Sequence, residues 1–173
     1  IKLRFYGSTQ DLSRLTKTAD PLPLADALAV PMGGQMRNDH GVPQFMVWAM
    51  RDPYSAPLDK VQIIKSWVEN GQTREMIIDV ACSNDRVADA QTGLCPASQA
   101  SVDVSSCTMQ EVFGAAELKA VWRDTAAQQG ETAFYYARVI EDPSCRWSSY
   151  DALRLGVAAP STVPATATEM AWS

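Results

Sequence analysis

Four cysteines, one histidine and five tryptophans are the side chains in this 173-residue sequence best suited to carry chemistry. Cys82, Cys95, Cys107 and Cys145 are separated by 13, 12 and 38 positions, with no CxxC pair among them. That spacing argues against a zinc knuckle or a thioredoxin-like redox centre. An even set reads instead as two disulfides, which places the protein in an oxidising compartment, periplasmic or extracellular. Four cysteines allow three pairings. Cys82–Cys95 with Cys107–Cys145 is the one favoured, the first closing a polar loop and the second tying a strand to the exit of the last long strand. The other two stay open. His40 sits in the polar stretch Arg37-Asn38-Asp39-His40-Gly41. With no second imidazole, a multi-histidine metal site is excluded, and His40 reads as an exposed loop residue. Asn84, Asp85 and Asp89, with Asp79 nearby, lack the alternating oxygens and closing glutamate of a calcium loop. No metal or cofactor is expected in this chain.

The remaining candidates concern surfaces. Met32-Gly33-Gly34 has no GxxxxGK phosphate-binding pattern. It reads as a turn needing positive φ, or, more sharply, as a segment bordering a cleft shared with a neighbour. Trp48 and Trp122 lie in apolar runs and are expected in the core. Trp67 and Trp147 stand beside Arg74 and Arg146, which predicts half-exposed rings with cation–π contacts. They are the candidate stacking surface for a glycan. Ser148-Ser149-Tyr150-Asp151 has no nucleophile-elbow pattern.

The elements that must position these residues are mostly strands. Ile1–Tyr6 alternates apolar and polar residues up to Gly7, a half-buried strand. Residues 8–18 could hold a helical turn capped by Asp11, and 19–42 read as irregular because Pro21, Pro23, Pro31, Gly33 and Gly34 punctuate them. Residues 44–50 form a short buried strand. Asn70-Gly71 marks a type I′ hairpin between Lys60–Val68 and Thr73–Ala81. Its predicted register sets Val61 opposite Val80, Gln62 opposite Asp79, Ile63 opposite Ile78 and Lys65 opposite Met76, with Trp67 opposite Arg74. Residues 83–101 read as a long polar loop, Val102–Cys107 as a short strand, and Ala115–Arg123 as a strand with a helix as its competitor. Phe134–Glu141 is a strand stopped by Asp142-Pro143. The tail from Gly156 is rich in Ala, Pro and Thr and reads as extended.

Short strands, turn signals and few helical patterns predict a mainly β fold, an antiparallel β-sandwich, immunoglobulin-like or similar, with long irregular segments. Residues 1–156 form the single domain, including the irregular segment 8–42, and 157–173 the tail. Gly130–Ala137 resembles the approach to strand F of immunoglobulin-like domains, where a tyrosine bonds back to the preceding corner. Tyr135 takes that place, and Ala137 stands where antibody domains carry a disulfide cysteine. The length suits one domain that buries about 70 % of its unfolded surface. A net charge of −5 argues against nucleic-acid or anionic-membrane partners. No apolar run approaches the ~20 residues that span a bilayer. The sequence opens at Ile1, without methionine and already in a strand, so it reads as a piece of something longer or a processed product. Oligomeric state is left open.

A family resemblance joins these observations. Ile1–Gly7, Val30–Gly34, Phe45–Ala49, Asp52-Pro53, Leu58–Trp67, Ala115–Leu118, Phe134–Val139 and Arg146–Ala152 together resemble the C-terminal region of the bacterial family called domain of unknown function 3604. The resemblance implies exported proteins whose N-terminal portion is similar to metal-dependent phosphoesterases of the polymerase-and-histidinol-phosphatase type. The metal ligands it implies belong to that portion, and none matches a position here. It thus implies a non-catalytic accessory β domain of a metal-dependent hydrolase, packed on the catalytic portion and shaping its cleft. An independent glycan- or protein-binding module is the alternative. An enzyme complete within these residues ranks last.

Overall fold

The computed structural model describes residues 1–37, 41–109 and 113–173. His40 lies outside the described residues. Among these described residues twelve strands occur in order: β1 (Lys2–Ser8), β2 (Val30–Pro31), β3 (Gln44–Met50), β4 (Leu58–Glu69), β5 (Gln72–Cys82), β6 (Val102–Asp103), β7 (Thr108–Met109), β8 (Glu117–Arg123), β9 (Ala133–Glu141), β10 (Ser144–Cys145), β11 (Thr166–Ala167) and β12 (Met170–Trp172). Two helices, α1 (Leu22–Leu28) and α2 (Trp147–Leu155), and a 3-10 helix (Ser13–Lys17) join them.

Two four-stranded antiparallel sheets form a sandwich, ordered β2-β1-β3-β8 and β12-β9-β4-β5. With β1, β3 and β8 as strands A, B and E, and β5, β4, β9 and β12 as C′, C, F and G, the connectivity is immunoglobulin-like. Leu3, Phe5, Phe45, Val47, Ala49, Leu118 and Ala120 of one sheet meet Val61, Ile63, Ala137 and Val139 of the other across the core. The alternation of inward residues along each strand sets this interface. β1 and β3 are buried on their outer face as well. There Tyr6 and Met46 pack under Leu12 and Leu15 of the 3-10 region and Ala25 of α1. A third layer therefore covers the first sheet.

That layer corrects the expectation that 19–42 is irregular. Pro23 lies in the first turn of α1, where its missing N–H leaves no intrahelical bond unmade, so it starts a helix instead of breaking one. The Asp20 carboxylate accepts the Leu22 N–H at 3.1 Å. Asp11 likewise accepts the Ser13 N–H ahead of the 3-10 helix. α2 was also not anticipated. Its signal is Gly156, left-handed at φ +66° behind Leu155, with the Val157 N–H donating to the Ala152 carbonyl.

The hairpin register is as predicted from Gln62 to Trp67. A bulge then pairs Val61 with Ala81 and leaves Val80 over. Residues 104–107 form a turn between β6 and β7, not the continuous strand expected for Val102–Cys107. The Asp103 carboxylate accepts the Ser105 N–H and folds the chain back. The chain from Gly156 contributes β11 and β12, and β12 pairs with β9 as an edge strand of the second sheet.

Candidate functional site

An open groove of about 900 Å3 lies at the end of the sandwich that carries the Asn70-Gly71 turn. Small-molecule and peptide sites commonly have such a size. Phe5 and Phe45 form its floor, stacked at 5.6 Å between ring centroids, and Phe45 lies 4.2 Å from the Tyr135 ring. One wall is the segment from Val30 to Met36. The other runs from Ser66–Val68 on β4 to Ala133–Tyr135 on β9. Gly7 lies beneath, where a Cβ would stand 3.1 Å from the Phe45 ring and 3.3 Å from Met36 Sδ, so both side chains would have to shift slightly to admit it.

The structure brings Met32, Gly33, Gly34 and Trp67 into this one groove. Gly33 adopts φ +80°, the left-handed turn residue. Met32, Val68 and Phe134 are exposed at 45, 68 and 65 %, an apolar rim around an opening. Trp147 is 71 % exposed on α2 and does not line the groove. The cation over the Trp67 ring is Lys65, 5.0 Å from the centroid, and not Arg74, which pairs with Glu69. Trp122 packs on the core as expected. Trp48 faces the helical layer instead, its Nε1 donating to Glu117 and Lys119 lying over its ring.

Behind the Trp67 wall is a charged cluster. Lys65 Nζ donates to Glu131 Oε2 at 2.6 Å and lies 2.9 Å from Asp124 Oδ2. The Tyr135 hydroxyl donates to the same Asp124 oxygen at 2.7 Å. Tyr135 thus performs the corner role expected of it, with a carboxylate in place of a backbone carbonyl. Burial alone would lower the Lys65 pKa, but the hydrogen bonds it donates to Glu131 and Asp124 outweigh it and the ammonium is held above its ordinary value. Burial and then the bond to Asp124 raise the Tyr135 hydroxyl well above the tyrosine range. Lys65 and Tyr135 therefore stay protonated at neutral pH. Two carboxylates against one ammonium leave the cluster with one negative charge, and Glu131 is its most exposed member. The sequence signal was Lys65 itself, a lysine on the apolar face of the hairpin.

The opposite end of the sandwich carries the cysteines. Cys82 is bonded to Cys95 and Cys107 to Cys145, the favoured pairing. Asp79 is buried and accepts from Lys60, Gln62 and the Cys95 N–H, while its own N–H donates to Gly93. The 83–101 loop is thereby fastened to β5. Asp89 accepts from the Thr92 and Gln91 N–H groups, which lower its pKa. Asp79 and Asp89 thus spend their oxygens on turns and strands. No group of three metal-ligating side chains occurs among the described residues. Glu141 and Asp142 are adjacent buried carboxylates whose pKa values burial raises. Ser55 donates to the first and Ser98 to the second. Ser149 Oγ donates to the Ala165 carbonyl, holding α2 against the later chain.

No helix among the described residues is long and apolar enough to cross a membrane. No curated protein and no solved structure matches the chain. One family model does, over residues 1–173, the entire length that forms the sandwich, its helical cover and both disulfides. The chain belongs to that family, described as a protein of unknown function, DUF3604.

Proposed function

We propose that this domain is a non-catalytic accessory β domain of a larger exported polypeptide. It packs through the groove end against a catalytic portion and shapes the access to that portion's cleft. The observation that carries the reading is the groove. Its rim exposes Met32, Val68 and Phe134 together, and apolar side chains clustered around an opening are expected to be covered. Behind them Lys65 pairs with Asp124 and Glu131. Two disulfides suit an oxidising compartment. The resemblance set out above supplies the partner, the portion of the parent polypeptide that precedes this segment.

Residues 1–173 and that preceding portion, produced separately and titrated by calorimetry, test the reading. They should associate. Met32→Glu or Phe134→Glu should weaken the association about tenfold or more, because each buries an unpaired charge. Leu155→Glu, on the exposed end of α2, should leave it unchanged. Two folded pieces that do not associate would overturn the proposal, as would association insensitive to the rim substitutions.

One observation favours a second reading. Trp67 and Phe134 share the groove with Ser66, Thr73, Thr132 and Glu131, a mixture of rings and polar groups that suits a sugar. Soluble oligosaccharides should then shift tryptophan fluorescence in this chain and not in Trp67→Ala.

A further inference from the structure

The two disulfides tie one end of the sandwich, and the Lys65 cluster lies at the other. Lys65 belongs to β4 of the second sheet, and its parity with Val61 and Ile63 turns it into the sandwich. Asp124 directly follows β8 of the first sheet. Its N–H donates to the Pro43 carbonyl at 2.9 Å, which fixes the residue beside the start of β3. The side chains of Lys65 and Asp124 are 4 and 1 % exposed, and Nζ stands 2.9 Å from Oδ2. Glu131 Oε2 accepts from the same Nζ at 2.6 Å. The Tyr135 hydroxyl donates to Asp124 Oδ2 at 2.7 Å, and the Ala126 N–H donates to Oδ1 at 3.1 Å. The Trp67 and Tyr135 rings flank Nζ, with centroids 5.0 and 5.8 Å away. An amine, a carboxyl group and a second carboxylate able to carry protons thus meet in a site nearly closed to water.

We propose that Lys65 and Asp124 condense into an intramolecular amide, an isopeptide cross-link between the two sheets, with Glu131 as the proton carrier. The step balances without an oxidant, a reductant or a cofactor. Nζ passes a proton to Glu131, and the freed lone pair forms the Nζ–Cγ bond. The Cγ–Oδ1 π pair moves onto Oδ1, where the Ala126 N–H receives it. Oδ2 takes the proton back from Glu131 and a second one from Nζ. It leaves as water with the electron pair of the Cγ–Oδ2 bond, while the pair on Oδ1 restores the carbonyl. Glu131 ends ionised, as it began. Two physical effects favour the step. Nitrogen and carboxylate are already in contact, so positioning replaces an encounter in solution. Buried ions carry a desolvation cost even when paired, and the amide removes two charges from the interior at once. The proton rests on Nζ at neutral pH, so the bond forms slowly, after folding, and the ion pair described above is its precursor. The proposal is independent of what covers the groove.

Mass spectrometry tests it on the purified chain, with the disulfides reduced and the protein unfolded. The mass should fall below that of the sequence by one water. Digestion should yield one branched peptide that joins the segments holding Lys65 and Asp124. Glu131→Gln keeps the Lys65–Asp124 pair but takes no proton from Nζ, and this variant should retain its full sequence mass. A folded, unsubstituted chain of full sequence mass would overturn the proposal. So would a lost water that maps to any other pair of residues, or a Glu131→Gln chain linked as completely as the unsubstituted one.

Discussion

Removing the Lys65 ammonium would leave the Asp124 carboxylate, its side chain 1 % exposed, without a charged partner, facing the Tyr135 hydroxyl and the Ala126 N–H. Breaking a buried pair by deleting one partner costs about 3–5 kcal/mol. Lys65→Met should lower unfolding stability by that order in a denaturant titration. The pH dependence follows from the same groups. Lys65 and Tyr135 hold their protons more tightly folded than unfolded, their ordinary values being 10.5 and 10.0. Their contribution is complete below about pH 10 and is lost as pH rises through the folded values. Stability should be flat near neutrality and fall in alkali, with a shallower fall in Tyr135→Phe. Two glycines separate strain from space. Gly33 and Gly114 share φ +80°, but a Cβ meets nothing at Gly33 and lies 2.3 Å from both Asp142 Oδ2 and Pro57 Cβ at Gly114. Gly33→Ala should cost about 1 kcal/mol and Gly114→Ala distinctly more, above about 2 kcal/mol, on thermal melts. At this scale the sequence exposed Lys65 and Tyr135 by their positions in strand patterns. It did not expose Asp124 and Glu131. They lie in a connecting segment, where no periodicity says which way a side chain points.

Strands and the hairpin were legible because they obey a period of two and the turn chemistry of Asn-Gly. The helical turn expected in residues 8–18 is the 3-10 helix, whereas α1 was obscured by prolines whose meaning depends on position within a helix. Their worth is measurable. Leu15 is fully buried on the outer face of the first sheet. Leu15→Ala should therefore cost about 2–5 kcal/mol, as for a core residue and not for a loop. The disulfides act on a different element. Cys82–Cys95 closes a separation of 13 residues and Cys107–Cys145 one of 38. In the chain-entropy model these contribute roughly 3 and 4 kcal/mol. Replacing the first pair by serine should release the polar loop before the sandwich opens. The Asp79 amide, bonded to the Gly93 carbonyl, should then exchange faster while the Ala137 amide does not.

For the molecule as a whole, the sandwich has two unlike ends. One is stapled by disulfides and by the Asp79 contacts. The other holds a groove walled by the segment from Val30 to Met36 and by β4 and β9, with the Lys65 cluster beside it. The sandwich was legible from strand count and turn spacing. The meeting of Met32–Gly34 with Trp67 was not, since it arises from packing segments more than thirty residues apart. The account predicts that the groove end is covered in the parent polypeptide. Hydroxyl-radical footprinting compares the two forms directly. Met32, Trp67 and Phe134 should be oxidised in this chain and shielded in the parent, while Trp147, exposed on α2, reacts equally in both. Equal reactivity of all four residues in both forms would contradict it.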